Sequence, residues 1–136
     1  MQTNGRSTVM NIEKVIFGFF IILALTLNFG FVMGEISDPE HHNVYEFFAV
    51  IVVNFIAMGL KLGDRSQIGA LLLATSLVAV LQLISAAVVW TVAVHVIHTG
   101  LTPGVTASIV SLAGGALLAN IVSVVMLVAD TLMSGR

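Results

Sequence analysis

From Ser66 to Ala129 the chain contains no lysine, arginine, aspartate or glutamate. A soluble protein of this size could not bury so long an apolar stretch. A helix that crosses the roughly 30 Å hydrocarbon core of a bilayer needs about 20 apolar residues, so the run holds two spans. The segment "HTGLTPG" (98–104) divides it. There Thr102 followed by Pro103 reads as a helix N-cap with proline at the first helical position. The third and fourth spans are expected at about Ile68–Val94 and Gly104–Ala129.

Composition says the same of the whole chain. It is 58% hydrophobic and 9% charged, against about 45–50% and about 25% in soluble domains. A chain of 136 residues is one domain by length and cannot hide that much apolar surface, so its solvent is lipid. The lack of cysteine excludes disulfides, thiolate metal sites and cysteine nucleophiles. No basic patch supports nucleic-acid binding.

Two further spans precede the run. Val15–Gly34 is uncharged, follows Arg6 and Lys14, and is long enough to cross. A cleaved signal peptide would have a shorter apolar core and a small-x-small site after it, and "FVMGEIS" offers none. An uncleaved first span is expected. Val44–Leu60 is the second, near the lower limit of about 17 residues. The fold class is therefore all-α: a polytopic membrane protein with four transmembrane helices over 12–133. Residues 1–11, "MQTNGRSTVMN", read as a disordered tail.

All five cations fall on one side of such a bundle: Arg6, Lys14, Lys61, Arg65 and Arg136. The positive-inside rule makes that side cytoplasmic, so both termini are expected inside (N-in/C-in). Loops 34–43 and 98–103 are then extracytoplasmic, and the membrane expected is a bacterial inner (plasma) membrane. Tyr45 and Trp90 fall at the outer interface, where amphipathic rings are favoured. In the turn "KLGDRSQIG", Gly63 suits a helix end, and Asp64 with Gln67 forms a capping-box pattern. Asp64 and Arg65 are alternatively a contact for a cytoplasmic partner.

All four histidines then lie at the outer face, with Glu35, Asp38, Glu40 and Glu46. His42 and Glu46 are four apart, and His95 and His98 three apart, so each pair shares a face if its segment is helical. Imidazole with carboxylate is a ligand set for a divalent metal and a proton sensor. The plainer alternative is a polar, solvated loop. No cofactor is expected unless this face holds that metal. No histidine is expected buried opposite another at haem-ligand depth, and haem held by His95 and His98 near the outer surface is the least favoured alternative.

Each span carries one carboxamide: Asn28, Asn54, Gln82 and Asn120. In hydrocarbon such a group must find a partner or meet water, as glue between helices or as the lining of a polar path. On span three Thr75, Ala79, Gln82, Ala86 and Ala93 share an arc expected to face protein. On span four Ala107, Ser111, Gly115, Ala119 and Ser123 recur every four residues, a ridge expected to pack on another helix or another copy.

No Ser-His-Asp set, H-E-x-x-H pattern or glycine-rich phosphate loop occurs, so an enzyme is not expected. Two functional readings follow. One is a homo-oligomeric channel or transport-type protein for a small ion or solute, its path between copies and its acidic outer loop gathering cations. The other is an accessory or assembly subunit of a larger membrane complex. The expected partners are lipid and either itself or another membrane protein. The topology is checked by labelling single cysteines: Asn43→Cys reacts with an impermeant thiol reagent from outside intact cells, and Arg65→Cys reacts only after lysis.

Overall fold

A computed structural model describes residues 12–35 and 37–134. The tail expected at 1–11, with Arg6, and Arg136 lie outside the described residues. The chain forms helix α1 (Ile12–Val32), one 3-10 turn (Pro39–His41), α2 (Val44–Lys61), α3 (Gln67–Thr91) continued by a π-helical turn (Val92–Val96), and α4 (Pro103–Ser134). All four helices are long and apolar enough to cross a membrane. Each packs on the next, α4 returns to α1, and α3 with α4 makes the most extensive pair. The result is an antiparallel ring. Its histidine end carries the 33–43 and 97–102 loops. Its termini end carries Ile12, the turn 62–66 and Ser134.

Buried positions recur at alternating intervals of three and four residues. They are Phe17, Ile21, Ala24, Asn28 and Phe31 on α1, and Phe47, Val50, Asn54 and Ala57 on α2. On α3 they include Leu72, Ser76, Ala79, Leu83 and Ala86, and on α4 Thr106, Ile109, Ala113, Ala116, Asn120, Ser123 and Leu127. This is the heptad seam of helices that cross at small angles. The outward faces are apolar as well, with Phe19, Leu81 and Leu118 at least 60% exposed, as contact with lipid demands.

The ends are fixed by local hydrogen bonds. Asn43 caps α2 by accepting from the amides of Tyr45 (2.8 Å) and Glu46 (3.4 Å). The Thr102 hydroxyl accepts from Val105 N (3.1 Å), with Pro103 opening α4 as its sequence predicts. Gly63, in the left-handed region at φ 87°, closes α2 as expected. The capping box does not form. Ser66 caps α3 instead, accepting from Gly69 N at 3.0 Å. Asp64 accepts from the amide (2.9 Å) and hydroxyl (2.7 Å) of Ser66 and pairs with Lys61 at 3.4 Å. The Ser66 hydrogen bonds, and Lys61 after them, hold the Asp64 carboxyl below its ordinary pKa.

Within one copy of the chain the α4 ridge is divided between core and surface. Ala119 and Ser123 are buried, Ala107 and Gly115 half-buried, and Ser111 exposed. Four residues advance a helix about 40° past a full turn, so a four-residue repeat winds off the interface. The core line follows the heptad instead. The inner part of the ridge meets α3 of the same chain. The Ser123 hydroxyl bonds that of Thr75, and the Gln82 carboxamide lies so close over Gly115 that no Cβ would fit there. Of the α3 arc, Ala79, Ala86 and Ala93 are buried, while Thr75 and Gln82 are half-buried on the α4 flank.

One fully buried side chain hydrogen-bonds the first helix to the last. Asn28, fully buried, reaches the backbone of α4. Oriented to satisfy both contacts, its amide nitrogen donates to Ala113 O (3.0 Å) and its oxygen accepts from Leu117 N (3.1 Å). Interhelical hydrogen bonds in membranes are worth about 0.6–2 kcal/mol each. Asn28→Leu is therefore expected to destabilise the bundle by about 1–2 kcal/mol in detergent unfolding, and Gln82→Leu, which breaks no such clamp, to cost less.

Candidate functional site

At the histidine end the four metal-ligand candidates separate. His42 is 9% exposed, and its ring lies between two backbone carbonyls: Nδ1 is 2.5 Å from Phe31 O and Nε2 is 2.8 Å from Glu35 O. With each ring nitrogen against a main-chain carbonyl, His42 fastens the end of α1 to the start of α2 and turns neither nitrogen toward the other candidate ligands. It is extended (φ −129°, ψ 105°), one residue before the cap, so it shares no helical face with Glu46. Glu46 turns its carboxylate onto Gly30, where a Cβ would stand 2.5 Å from its Oε2.

His95, exposed, stacks edge-on against Trp90 with centroids 5.4 Å apart. His98, also exposed, takes the left-handed conformation (φ 58°) that turns the chain out of α3. His41 accepts from Glu35 N at 2.8 Å and faces Asp38 at 3.5 Å. Among the described residues no three His, Asp or Glu side chains stand together as a metal site. The set His42, Glu46, His95 and His98 is thus not assembled, because the loop uses its imidazoles to bind its own backbone and Trp90. Beneath the loop lies a small cavity of about 30 Å³ bounded by Phe31, His42, Phe47, Trp90 and Thr106. The buried Thr106 hydroxyl has no partner among the described residues.

The carboxamides prove more informative. Three of the four point into the bundle: Asn28 and Asn120 are fully buried and Asn54 is 1% exposed. Both amide atoms of Asn28 have partners, which is not so for the other two. Asn54 donates to Val50 O at 2.8 Å, four residues back on its own helix, which leaves its Oδ1 unpartnered. Asn120 has no partner for either amide atom, nor has the hydroxyl of Ser76, among the described residues.

These three groups lie at one depth. Gly30 against Glu46 and Phe17 against Lys61 set the register of α1 on α2 and put Asn54 level with Ala24 to within a residue or so. Asn28 on Ala113 and Leu117, with Lys14 paired to Asp130 at 3.4 Å, puts Asn120 at the same level. Thr75 with Ser123 and Gln82 with Gly115 place Ser76 less than two residues away, about 3 Å of helix rise. Ala24, Asn54, Ser76 and Asn120, one from each helix, therefore form a single layer across the bundle. An apolar cluster containing Phe31, Phe47 and Leu83 lies on the histidine side of it, and one containing Phe17, Ile21, Leu72 and Leu127 on the other.

Residues 41–131 match the model of a family of unknown function (DUF6394). The chain belongs to that family. No curated protein and no solved structure matches it. The family region covers α2, α3 and most of α4, and so contains Asn54, Ser76 and Asn120 as well as His42. Asn28 lies before it.

Ser76 and Thr106 were missed by sequence reasoning, which looked for carboxamides. The heptad positions shared with Leu72 and Ala79, or with Ile109 and Ala113, are the signal that finds them. Of the four intramembrane carboxamides, Gln82 is the one outside the core. It borders a groove open to the lipid side between α3 and α4, with Thr75, Val78, Gly115, Leu118 and Ala119, and it makes no hydrogen bond to a described residue. His42→Ala is expected to lower stability by about 1–3 kcal/mol through its two orphaned carbonyls. His95→Ala should cost less, and zinc should leave the melting temperature of the wild type unchanged.

Proposed function

We propose that this membrane protein is of the transport type and carries a small solute along the bundle axis, with both termini cytoplasmic. The observation that supports the reading is the layer of Asn54, Ser76 and Asn120, whose hydrogen-bonding capacity is partly unused in the middle of an apolar core. A polar group used only as glue finds its partner within the protein, as Asn28 does. Spare donors and acceptors between two apolar plugs are what a closed carrier needs. Because the spare capacity lies inside the protomer, the axis is a better path than the space between copies. The stacked rings of Phe31 and Phe47, with centroids 5.0 Å apart, would close its outer end.

Gln82 favours the second reading, lateral assembly. A carboxamide at the edge of a groove facing lipid is relieved by a partner helix, supplied by another copy or another membrane protein. The two readings are compatible, since a carrier can be an oligomer. The test is flux of ions and of uncharged solutes into liposomes holding the purified protein, with its oligomeric state measured in parallel. Transport is supported if some solute crosses faster than in protein-free liposomes and Asn120→Leu removes most of the difference. Equal permeability for all solutes, with a Gln82-dependent oligomer, would leave assembly as the function.

A further inference from the structure

We propose that the layer of Ala24, Asn54, Ser76 and Asn120 binds one small uncharged molecule that both donates and accepts hydrogen bonds, water being the smallest of the class. The inference rests on the transport reading only for the claim that the occupant moves; binding stands by itself.

The ligand class follows from the groups left over. The acceptors are two carboxamide oxygens, of Asn54 and Asn120, and the donors are the Asn120 amide hydrogens, with the Ser76 hydroxyl able to act as either. An anion would meet the two oxygens. A bare cation would meet the Asn120 N–H groups and no carboxylate. The nearest charged side chains along the helices stand well away: Lys61 is seven residues from Asn54 and Asp130 ten residues from Asn120, about 10 and 15 Å of rise. A neutral molecule with both kinds of group satisfies every atom and needs no counter-charge.

Size is set by small neighbours. At this level α1 offers only the methyl group of Ala24, and the next core positions toward the histidine end are Ala79 on α3 and Ala116 on α4, all fully buried. Toward the termini end the next core position on α2 is Ala57. Asn54 and Asn120 belong to α2 and α4, which lie diagonally across the ring, and their spare atoms do not bond each other. An occupant between them can bridge both. The clusters above and below it contain no charged residue, so it is held in a closed polar slot, not a continuous wet channel.

The test uses the full-length protein in lipid, labelled with ¹⁵N-asparagine. In water-edited solid-state NMR the side-chain amides of Asn54 and Asn120 should gain magnetisation from water much faster than that of Asn28, whose amide is bonded to α4. In liposomes the permeability to water, urea or glycerol should exceed that of protein-free membranes. Asn120→Leu should cut this excess by about tenfold, roughly one hydrogen bond's worth, while potassium and sodium permeability stay at the protein-free level. Ser76→Ala serves if Asn120→Leu does not fold. Water contact without flux would defeat the transport reading and keep the site. Ion flux with no water contact at Asn54 or Asn120 would do the reverse. The inference is overturned if the Asn120 amide is as isolated from water as that of Asn28 and Asn120→Leu raises the melting temperature, since the layer is then dry.

Discussion

In a bilayer two helices gain little by hiding hydrocarbon from each other, because lipid tails are as apolar as leucine. The bundle depends instead on a few directional contacts, and the clamp of Asn28 on one turn of α4 is the one that closes the ring. Without it α1 would be held to α4 chiefly by dispersion contacts such as Leu127 over Gly18 and by the Lys14–Asp130 pair at the end. With it, the depth of α1 against α4 is fixed, and Ala24 is brought level with Asn54 and Asn120. The composition of the mid-bundle layer is thus a consequence of where Asn28 binds.

The two kinds of buried carboxamide express one cost resolved in two ways. A buried amide must recover the hydrogen bonds it had in water. Asn28 recovers them from main-chain groups of a neighbouring helix. Asn54 recovers one from its own helix, and Asn120 recovers none from the described residues. The first solution ties the structure together. The second leaves chemistry available, and it lies within the part of the chain that matches the family.

Much of this was legible in the sequence and some of it was not, for identifiable reasons. The four spans could be read because uncharged runs of bilayer length have few other uses. Helix ends could be read where one residue has one job, as with Gly63 and the Thr102–Pro103 pair. The carboxamides stood out as polar residues among hydrocarbon. Which of them would be satisfied could not be read, since that depends on the register between helices and on amides from a different span. The four-residue spacing of His42 and Glu46 implies a shared helical face, whereas His42 is extended and its ring is used on Phe31 and Glu35. Only part of the α4 ridge enters the core, because a repeat of four slips around the helix while the intramolecular interface keeps to the heptad.

Between Lys61 and Lys14 at one end and Glu46 at the other, the interior of the bundle holds no charged side chain. Its helices alternate in direction, so their macrodipoles largely cancel. A transmembrane voltage does work of about 2.3 kcal/mol per 100 mV on each elementary charge that crosses. Here it finds no such charge to move. The fold is electrically silent, and any rearrangement that opened the layer would draw its energy from binding or from the lipid, not from the membrane potential.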